Sequence, residues 1–486
     1  MIVPPYTIQR FEPKTAHIPL GLAYIAAVVE KDYSVKILDA QLEGFYNEVK
    51  IDEDSFRYGL SFEDIERQIK SINPDVVGVS CLFDTLSQNA HKVCDITKSI
   101  DKTIITVMGG AHPSVAPEFT LKNQNVDYVL IGEADKSFPE LLKAVTNGEI
   151  DKIDGIAFRI LNNIQINPKT SFIKDLDSLP LPAWHLLKMQ EYFKINQSTG
   201  SLSKLSPNMP IVTSRGCPAR CIFCSIHTVW GRSFRYRSPE NILNEIQYLI
   251  DTYGIKELQF EDDNLIFNKK RALEIFDGMI KRNFNIIWET PNGTAAWALD
   301  DELLEKMKKS GCYRIVLAIE SGDQDVLKNI IKKPLNLDTV KPLVKKAKKI
   351  GLEVHGFFVV GFPGETLKQI KKTFTYARGL NLDLVYVFFA TPRAGTELFK
   401  ICQEKGYINK EIDFASTNVS ASSIETDNFT KQELEHMFAL HMLLININGL
   451  FHNPIKYSKY IIRKLKKNPV YFFNIIHKMI IKKIFN

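Results

Sequence analysis

Residues 215–225 read Arg-Gly-Cys-Pro-Ala-Arg-Cys-Ile-Phe-Cys-Ser, which sets Cys217, Cys221 and Cys224 in a C-x3-C-x2-C spacing. Thiolates this close along a chain can wrap one soft metal centre. A [4Fe–4S] cluster usually takes four cysteines, and only three are local here. Zinc with His227 as fourth ligand, or a disulfide, would draw on the same residues. Structural zinc sites, however, usually come as paired knuckles, and no second pair follows. The other cysteines, Cys81, Cys94, Cys312 and Cys402, are irregularly spaced, and the total of 7 is odd. That is not a disulfide framework. A low-potential iron–sulfur site fits a reducing compartment, and the N-terminus lacks the basic and apolar regions of a signal peptide. The expected location is the cytoplasm.

The rest of the chain must present that loop, and its hydrophobic pattern says how. The 486 residues suggest several domains. In residues 1–150, the runs 34–40, 75–81, 103–110 and 126–132 read as buried Val/Ile-rich strands. The stretches 62–72 and 87–99 between them, and 19–30 before them, have helical period. Such alternation predicts a parallel sheet covered on both faces. Ligands of such sheets sit at the carboxyl ends of the strands, where Ser80, Gly109, Gly110, Gly132 and Glu133 lie. Residues 151–205 read as a linker, with a hairpin over 155–160 and 164–170 and a proline-rich segment in which Trp184 and His185 pack. Residues 206–405 repeat strand–helix units. Strands at 211–214, 256–260, 285–289, 313–319, 354–360 and 384–389 lead into the cluster loop, EDDN, TPNG, ESGD, GFPGET and ATPRAGTEL. A parallel barrel carries its chemistry on such loops. Residues 406–486 read as helical, opening with a Thr430–Glu433 capping box.

Phe223 completes the pattern C-x3-C-x-aromatic-C, and this segment resembles the signature of the radical S-adenosylmethionine (SAM) superfamily. The resemblance implies three irons held by Cys217, Cys221 and Cys224, with a fourth open to SAM. It further implies that Phe223, Asp262, Asp263, Glu320, Ser321, Gly361 and Gly364 line the SAM site. In TPRAGTEL (391–398), Arg393-Ala394 stand where the family has aromatic-Pro. Upstream, Ser80-x-Leu82 followed by Gly109-Gly110 resembles cobalamin-binding domains. This implies that Ser80, Leu82, Thr85, Gly109, Gly110, Gly132 and Glu133 surround cobalamin. The family's D-x-H-x-x-G motif is missing, and VPPYT (3–7) stands in its place. Either cobalt without a histidine ligand is implied, or another group binds it, for which His112 in the GGAHPS loop is a candidate.

The expected fold class is α/β: an N-terminal Rossmann-like parallel-sheet domain, then a partial (βα)6 radical SAM barrel, then a helical C-terminal region. The implied activity is that of a cobalamin-dependent radical SAM enzyme. It would cleave SAM to a 5′-deoxyadenosyl radical at the [4Fe–4S] cluster and methylate an unactivated carbon through methylcobalamin. A cyclase, oxidoreductase or rearrangement enzyme without methyl transfer is the alternative within the family, and a non-catalytic cluster or cobalamin sensor the one outside it. The expected partners are a small-molecule or lipid-like substrate and an electron donor such as flavodoxin or ferredoxin. No nucleic-acid module is evident. Net charge is +6, yet residues 451–486 carry nine Lys or Arg and no Asp or Glu. Basic, apolar helical segments of this kind can meet anionic headgroups, so the tail is read either as a membrane contact or as a cap on the barrel. Arg232, Arg235 and Arg237 follow the cluster loop; either one of them offsets cluster charge or meets the SAM carboxylate, or the three form a solvated basic loop.

Overall fold

The computed structural model describes residues 1–9, 12–53, 55–161, 163–195, 203–408 and 422–452, with positions 454, 458 and 462. The basic tail beyond these lies outside the described residues.

The first sheet has seven strands: β1 (Ile2–Val3), β2 (Leu38–Asp39), β3 (Val76–Ser80), β4 (Ile105–Gly109), β5 (Tyr128–Leu130), β6 (Ile156–Ile160) and β7 (Asn163–Asn167). Their order is β7-β6-β5-β4-β3-β1-β2. The pairings among β1 to β5 are parallel. The helices fall where the apolar period places them. Phe62–Ile72 starts at Ser61, whose hydroxyl accepts from the Asp64 N–H at 3.0 Å, and stops at Asn73 in the left-handed region. Leu20–Val29 and Ser87–Ile100 complete the expected set. The hairpin read as part of the linker instead extends this sheet, with β6 antiparallel to β5 and β7 antiparallel to β6. The first sheet therefore continues past residue 150, because the apolar residues of β6 cover an edge that β5 would otherwise leave open.

The second sheet runs in sequence order: β8 (Asn208–Ile211), β9 (Glu257–Phe260), β10 (Ile287–Glu289), β11 (Cys312–Glu320), β12 (Glu353–Val360) and β13 (Leu384–Phe389). All neighbours are parallel. β8 and β13 are not paired, so this is an open, partial barrel. One strand differs from its sequence reading. β8 ends at Ile211, and Ser214–Arg215 instead pairs antiparallel with Arg235–Tyr236. The cluster loop is thus closed at its base by its own short ribbon. Thr213 and Ser214 leave the barrel sheet because their hydroxyls and the Thr213 N–H bind the buried carboxylate of Asp262.

Outward-facing residues of the barrel pack under its helices. Trp288 is fully buried, stacks on Phe276 at 5.2 Å and meets Phe260 edge-on at 5.1 Å. Its indole N–H donates to the Ser310 carbonyl at 3.1 Å. Helix Lys431–His452 opens with the expected reciprocal cap between Thr430 and Glu433. Its Leu434, Phe438 and His441 dock on the barrel, with Phe438 4.5 Å from Phe389 and His441 stacked on Phe374 at 5.0 Å. By length and composition this helix, and not the shorter Leu20–Val29, is apolar enough to cross a membrane.

Trp288→Ala removes a large ring and orphans the Ser310 carbonyl. It should lower stability by about 3–5 kcal/mol, read as a fall in the urea midpoint of the reduced protein.

Candidate functional site

The cluster loop lies at the carboxyl end of β8. Cys217, Cys221 and Cys224 are half-buried thiols without a disulfide partner. Burial pushes the Cys221 thiol up to about 11 and that of Cys224 up to about 12. Deprotonation at neutral pH therefore needs a bound cation, which a cluster supplies. Among the described residues no three His, Cys, Asp or Glu side chains converge on a single ion. His227 turns Nδ1 to the Cys224 carbonyl at 3.1 Å.

The loops after the other strands gather around this one. The ring of Phe223 lies 5.9 Å from that of Phe362 in the loop after β12. Asp263 is half-buried and faces the cysteines. Burial, with the adjacent Asp262 charge, pushes its carboxyl up to about 7 against a bond from the Gly216 N–H. Of the two aspartates it is the one placed to meet a ligand, since Asp262 is spent on Thr213 and Ser214. Glu320 sits at positive φ of 69° at the end of β11 and binds Lys333 at 2.9 Å. Ser321 is fully buried, close to Thr373 at 3.0 Å, and accepts from the Asp323 N–H. It shapes the turn and does not face the site. Gly361 is also filled: a Cβ there would stand 2.6 Å from Leu434, so its glycine serves the C-terminal helix. The Gly361 and Phe362 N–H groups both donate to buried Glu365. Gly364 remains exposed.

Two residues absent from the sequence reading stand beside the thiols. Asn264 is 1% exposed, and its side chain hydrogen-bonds Cys217. Lys333 is buried under Trp297 at 5.0 Å. Burial opposes its charge, but Glu320 and the Cys221 and Cys217 sulfurs hold its pKa above the ordinary value. Asn264 closes the EDDN loop, whose place after a strand was its only signal, and a Lys thirteen residues past Glu320 carries none until the fold brings it in.

On the first domain, strand order 2-1-3-4-5 makes the gap between β1 and β3 the topological switch point, where open α/β sheets bind ligands. Its lips are residues 4–7 and 80–85, and Tyr6 Oη and Thr85 Oγ1 meet across it at 3.2 Å. Ser80 and Gly109 are register neighbours at the ends of β3 and β4. A Cβ on Gly109 would meet nothing closer than 4.0 Å, whereas Gly110, at φ 122°, backs onto the Cys81 carbonyl. Leu82 is 50% exposed. Gly109 and the exposed Leu82 thus leave backbone and an apolar side chain open to a ligand at this edge. His112 does not line it. The ring is buried, with Nδ1 2.8 Å from Asp84 and its plane edge-on to Phe119.

Gly132 and Glu133, expected at cobalamin, join the two domains instead. Gly132 faces the Val229 carbonyl. The Glu133 carboxylate binds Arg215 at 3.1 Å and Arg235 at 2.9 Å, and accepts from the Ile173 N–H. Arg215 also holds Asp135 at 2.8 Å. All four side chains are buried. Arg235 is therefore taken up by the seam, and Arg237 by Glu245. Neither offsets cluster charge, and Arg232 is exposed. On the far side, Arg393 binds Asp84 at 2.5 Å.

Residues 7–142 match the B12 binding domain model, and residues 211–377 the Radical SAM superfamily model. Cytidylyl-2-hydroxyethylphosphonate methyltransferase of Streptomyces wedmorensis is 36% identical over 85% of this chain and 82% of its own. This chain belongs to the cobalamin-dependent radical SAM enzymes. An uncharacterized methyltransferase of Pyrococcus horikoshii is 33% identical over 79% of this chain and 78% of its own. Among solved structures, the cobalamin-dependent SAM radical enzyme OxsB shares the fold at TM-score 0.71, with 15% identity over 93% of this chain and 69% of that one. The methyltransferase TsrM of Kitasatospora setae does so at 0.65, with 14% identity over 82% of this chain and 74% of that one. Membership brings the [4Fe–4S] cluster, SAM and cobalamin as the cofactors of this cobalamin-dependent radical SAM enzyme.

Glu133→Gln would leave Arg235 and Arg215 short of a buried counter-charge. Breaking such a pair costs on the order of 3–5 kcal/mol. The variant should show faster proteolysis between the domains and a lower denaturation midpoint, while retaining the fold by circular dichroism.

Proposed function

We propose that this enzyme transfers a methyl group to an unactivated carbon of a small molecule held between the barrel mouth and the cobalamin crevice. The observation that carries this reading is the seam. Arg215, two residues before Cys217, is locked to Glu133 and Asp135 of the cobalamin domain. Cluster loop and crevice therefore share one mouth. When bound, the cofactors supply the carbon radical and the methyl donor. The chain's own residues position and enclose. Cys217, Cys221 and Cys224 hold the iron, with Asn264 bonded to the first of them. Asp263 and Glu320 are placed to accept hydrogen bonds from SAM, and Phe223 with Phe362 gives it an apolar side. Ser80, Leu82, Thr85, Gly109 and Gly110 cradle cobalamin, with no histidine among the described residues assigned to cobalt. The relatives named as methyltransferases support methyl transfer. An anaerobic magnesium-protoporphyrin IX monomethyl ester cyclase of Rubrivivax gelatinosus, 25% identical over 82% of this chain and 70% of its own, keeps cyclisation as the alternative. A flavodoxin or ferredoxin would deliver electrons, which fits a cytoplasmic enzyme.

Mass spectrometry of extracts from strains with and without the gene tests the reaction. A product heavier by one CH2 unit, and labelled from methyl-deuterated methionine, supports transfer. A product related by loss of hydrogen alone supports the cyclase reading. Replacing Cys217, Cys221 or Cys224 by Ala should abolish iron–sulfur absorption and 5′-deoxyadenosine release under dithionite, and replacing Cys81, Cys94, Cys312 or Cys402 should not.

The same enzyme is proposed to touch anionic membranes. On helix Lys431–His452, Leu440, Leu443, Ile447 and Leu450 form an exposed stripe opposite the docked face, and Phe451 is 82% exposed. The chain then continues into nine basic residues without an acidic one. Each Lys or Arg near an anionic surface contributes about 1 kcal/mol. Sedimentation with anionic vesicles should be strong at low salt, weak at high salt, and lost in Leu443→Gln/Ile447→Gln. No binding at low salt would make the region a cap alone.

A further inference from the structure

The two last barrel strands differ on their two faces. Val354, Phe358 and Val360 of β12, and Val385, Val387 and Phe389 of β13, face the helices and belong to the main core. The alternate residues Phe357, Tyr386 and Phe388 point the other way, into the barrel lumen. All three are half-buried, so the lumen is not closed over them as it is in a filled barrel. Their rings form one surface. Phe357 is 5.4 Å from Tyr386 and 5.8 Å from Phe388, nearly edge-on to both, and Tyr386 and Phe388 lie parallel within 2°.

This surface is bounded below and above. Below it, His355 lies 5.9 Å from Tyr386, and its Nε2 is 2.9 Å from Glu353. Arg314 ties Glu353 to Glu289. The charges of this floor are paired with one another. Above it, β13 runs into the loop that reaches both halves of the site. The Leu398 N–H donates to the Ile222 carbonyl at 2.9 Å, between Cys221 and Phe223, and Arg393 binds Asp84 of the cobalamin domain. A molecule lying on the three rings would rest beneath the seam between the cluster loop and the cobalamin crevice.

We propose that Phe357, Tyr386 and Phe388 form the substrate-binding wall of this enzyme and that its substrate carries a planar aromatic ring, carbocyclic or heterocyclic. The proposal rests on the reading that a small molecule occupies the barrel mouth. Aliphatic side chains would serve a saturated substrate equally well. The inward face instead sets three rings in mutual contact outside the core cluster, and ring quadrupoles favour offset or edge-on contact with another ring.

The test uses the reconstituted holoenzyme with SAM under anaerobic conditions. Two ring probes, tryptophan and uridine 5′-monophosphate, are titrated beside their non-aromatic counterparts, 3-cyclohexylalanine and 5,6-dihydrouridine 5′-monophosphate. At least one ring probe should bind, and more tightly than its counterpart. Tyr386→Ala and Phe388→Ala should each weaken it on the order of tenfold, and Tyr386→Phe and Phe388→Tyr should restore it. Iron content and melting temperature report whether each variant is intact. Phe388→Leu, which keeps an apolar side chain but removes the ring, serves if Tyr386→Ala does not fold. The proposal is overturned if neither ring probe binds, if the saturated counterparts bind as tightly, or if binding survives loss of the rings. Failure of the underlying reading shows separately, as absent 5′-deoxyadenosine release by the wild-type enzyme.

Discussion

The structure hangs on a charge cluster that excludes water. Glu133 and Asp135 come from the loop after β5 of the first sheet, Arg215 from the start of the cluster loop, and Arg235 from the ribbon that closes it. Taking these groups out of water is expensive, and an ion pair recovers that cost only when its geometry and remaining hydrogen bonds are good. Here the Glu133 carboxylate accepts from two guanidinium groups and one backbone N–H. Such an arrangement adds little net stability compared with an apolar seam of the same shape. What it adds is register. A slip between the two domains would strand several buried charges at once, so the cluster loop has one place beneath the first sheet.

Further contacts repeat that logic. Arg393 reaches Asp84, which also holds His112. Tyr192 of the connecting segment donates to the buried carboxylate of Asp39 at 2.5 Å. The Asp84 contact bears on the departure of TPRAGTEL from its family pattern. With an aromatic residue at position 393, the loop after β13 would lack the guanidinium that pins it to the first domain. The departure is therefore compensated across the interface, by Asp84, and not within the loop.

Much of the architecture was legible because it is periodic. Buried Val/Ile runs marked the strands, and the Thr430–Glu433 capping box marked a helix start. The three cysteines were legible because their chemistry is encoded in local spacing. What sequence could not give was the partner of each polar side chain. Glu133 and Gly132 sit at the end of a strand, as ligand-binding residues do, yet they face another domain, and only the docked structure distinguishes the two uses. Ser321 and Gly361 follow the same rule: each occupies a loop position suited to SAM, and each is consumed by Thr373 or Leu434. Lys333 was invisible for the opposite reason. It lies thirteen residues from Glu320, past a helical turn, and becomes part of the site only when that turn folds back over the thiols.

The lumen of the barrel shows where local pattern and function part. On β12 and β13 the period of two was enough to identify strands, and either face would satisfy it with apolar residues. The choice of Phe357, Tyr386 and Phe388 on the inward face is not demanded by the core, since none of the three belongs to the core cluster. A fold of this class needs its helix-facing residues to be tightly packed and leaves its lumen-facing residues to the ligand. The rings are thus a feature that stability does not explain, set beneath the one place where cluster loop, barrel and cobalamin crevice meet.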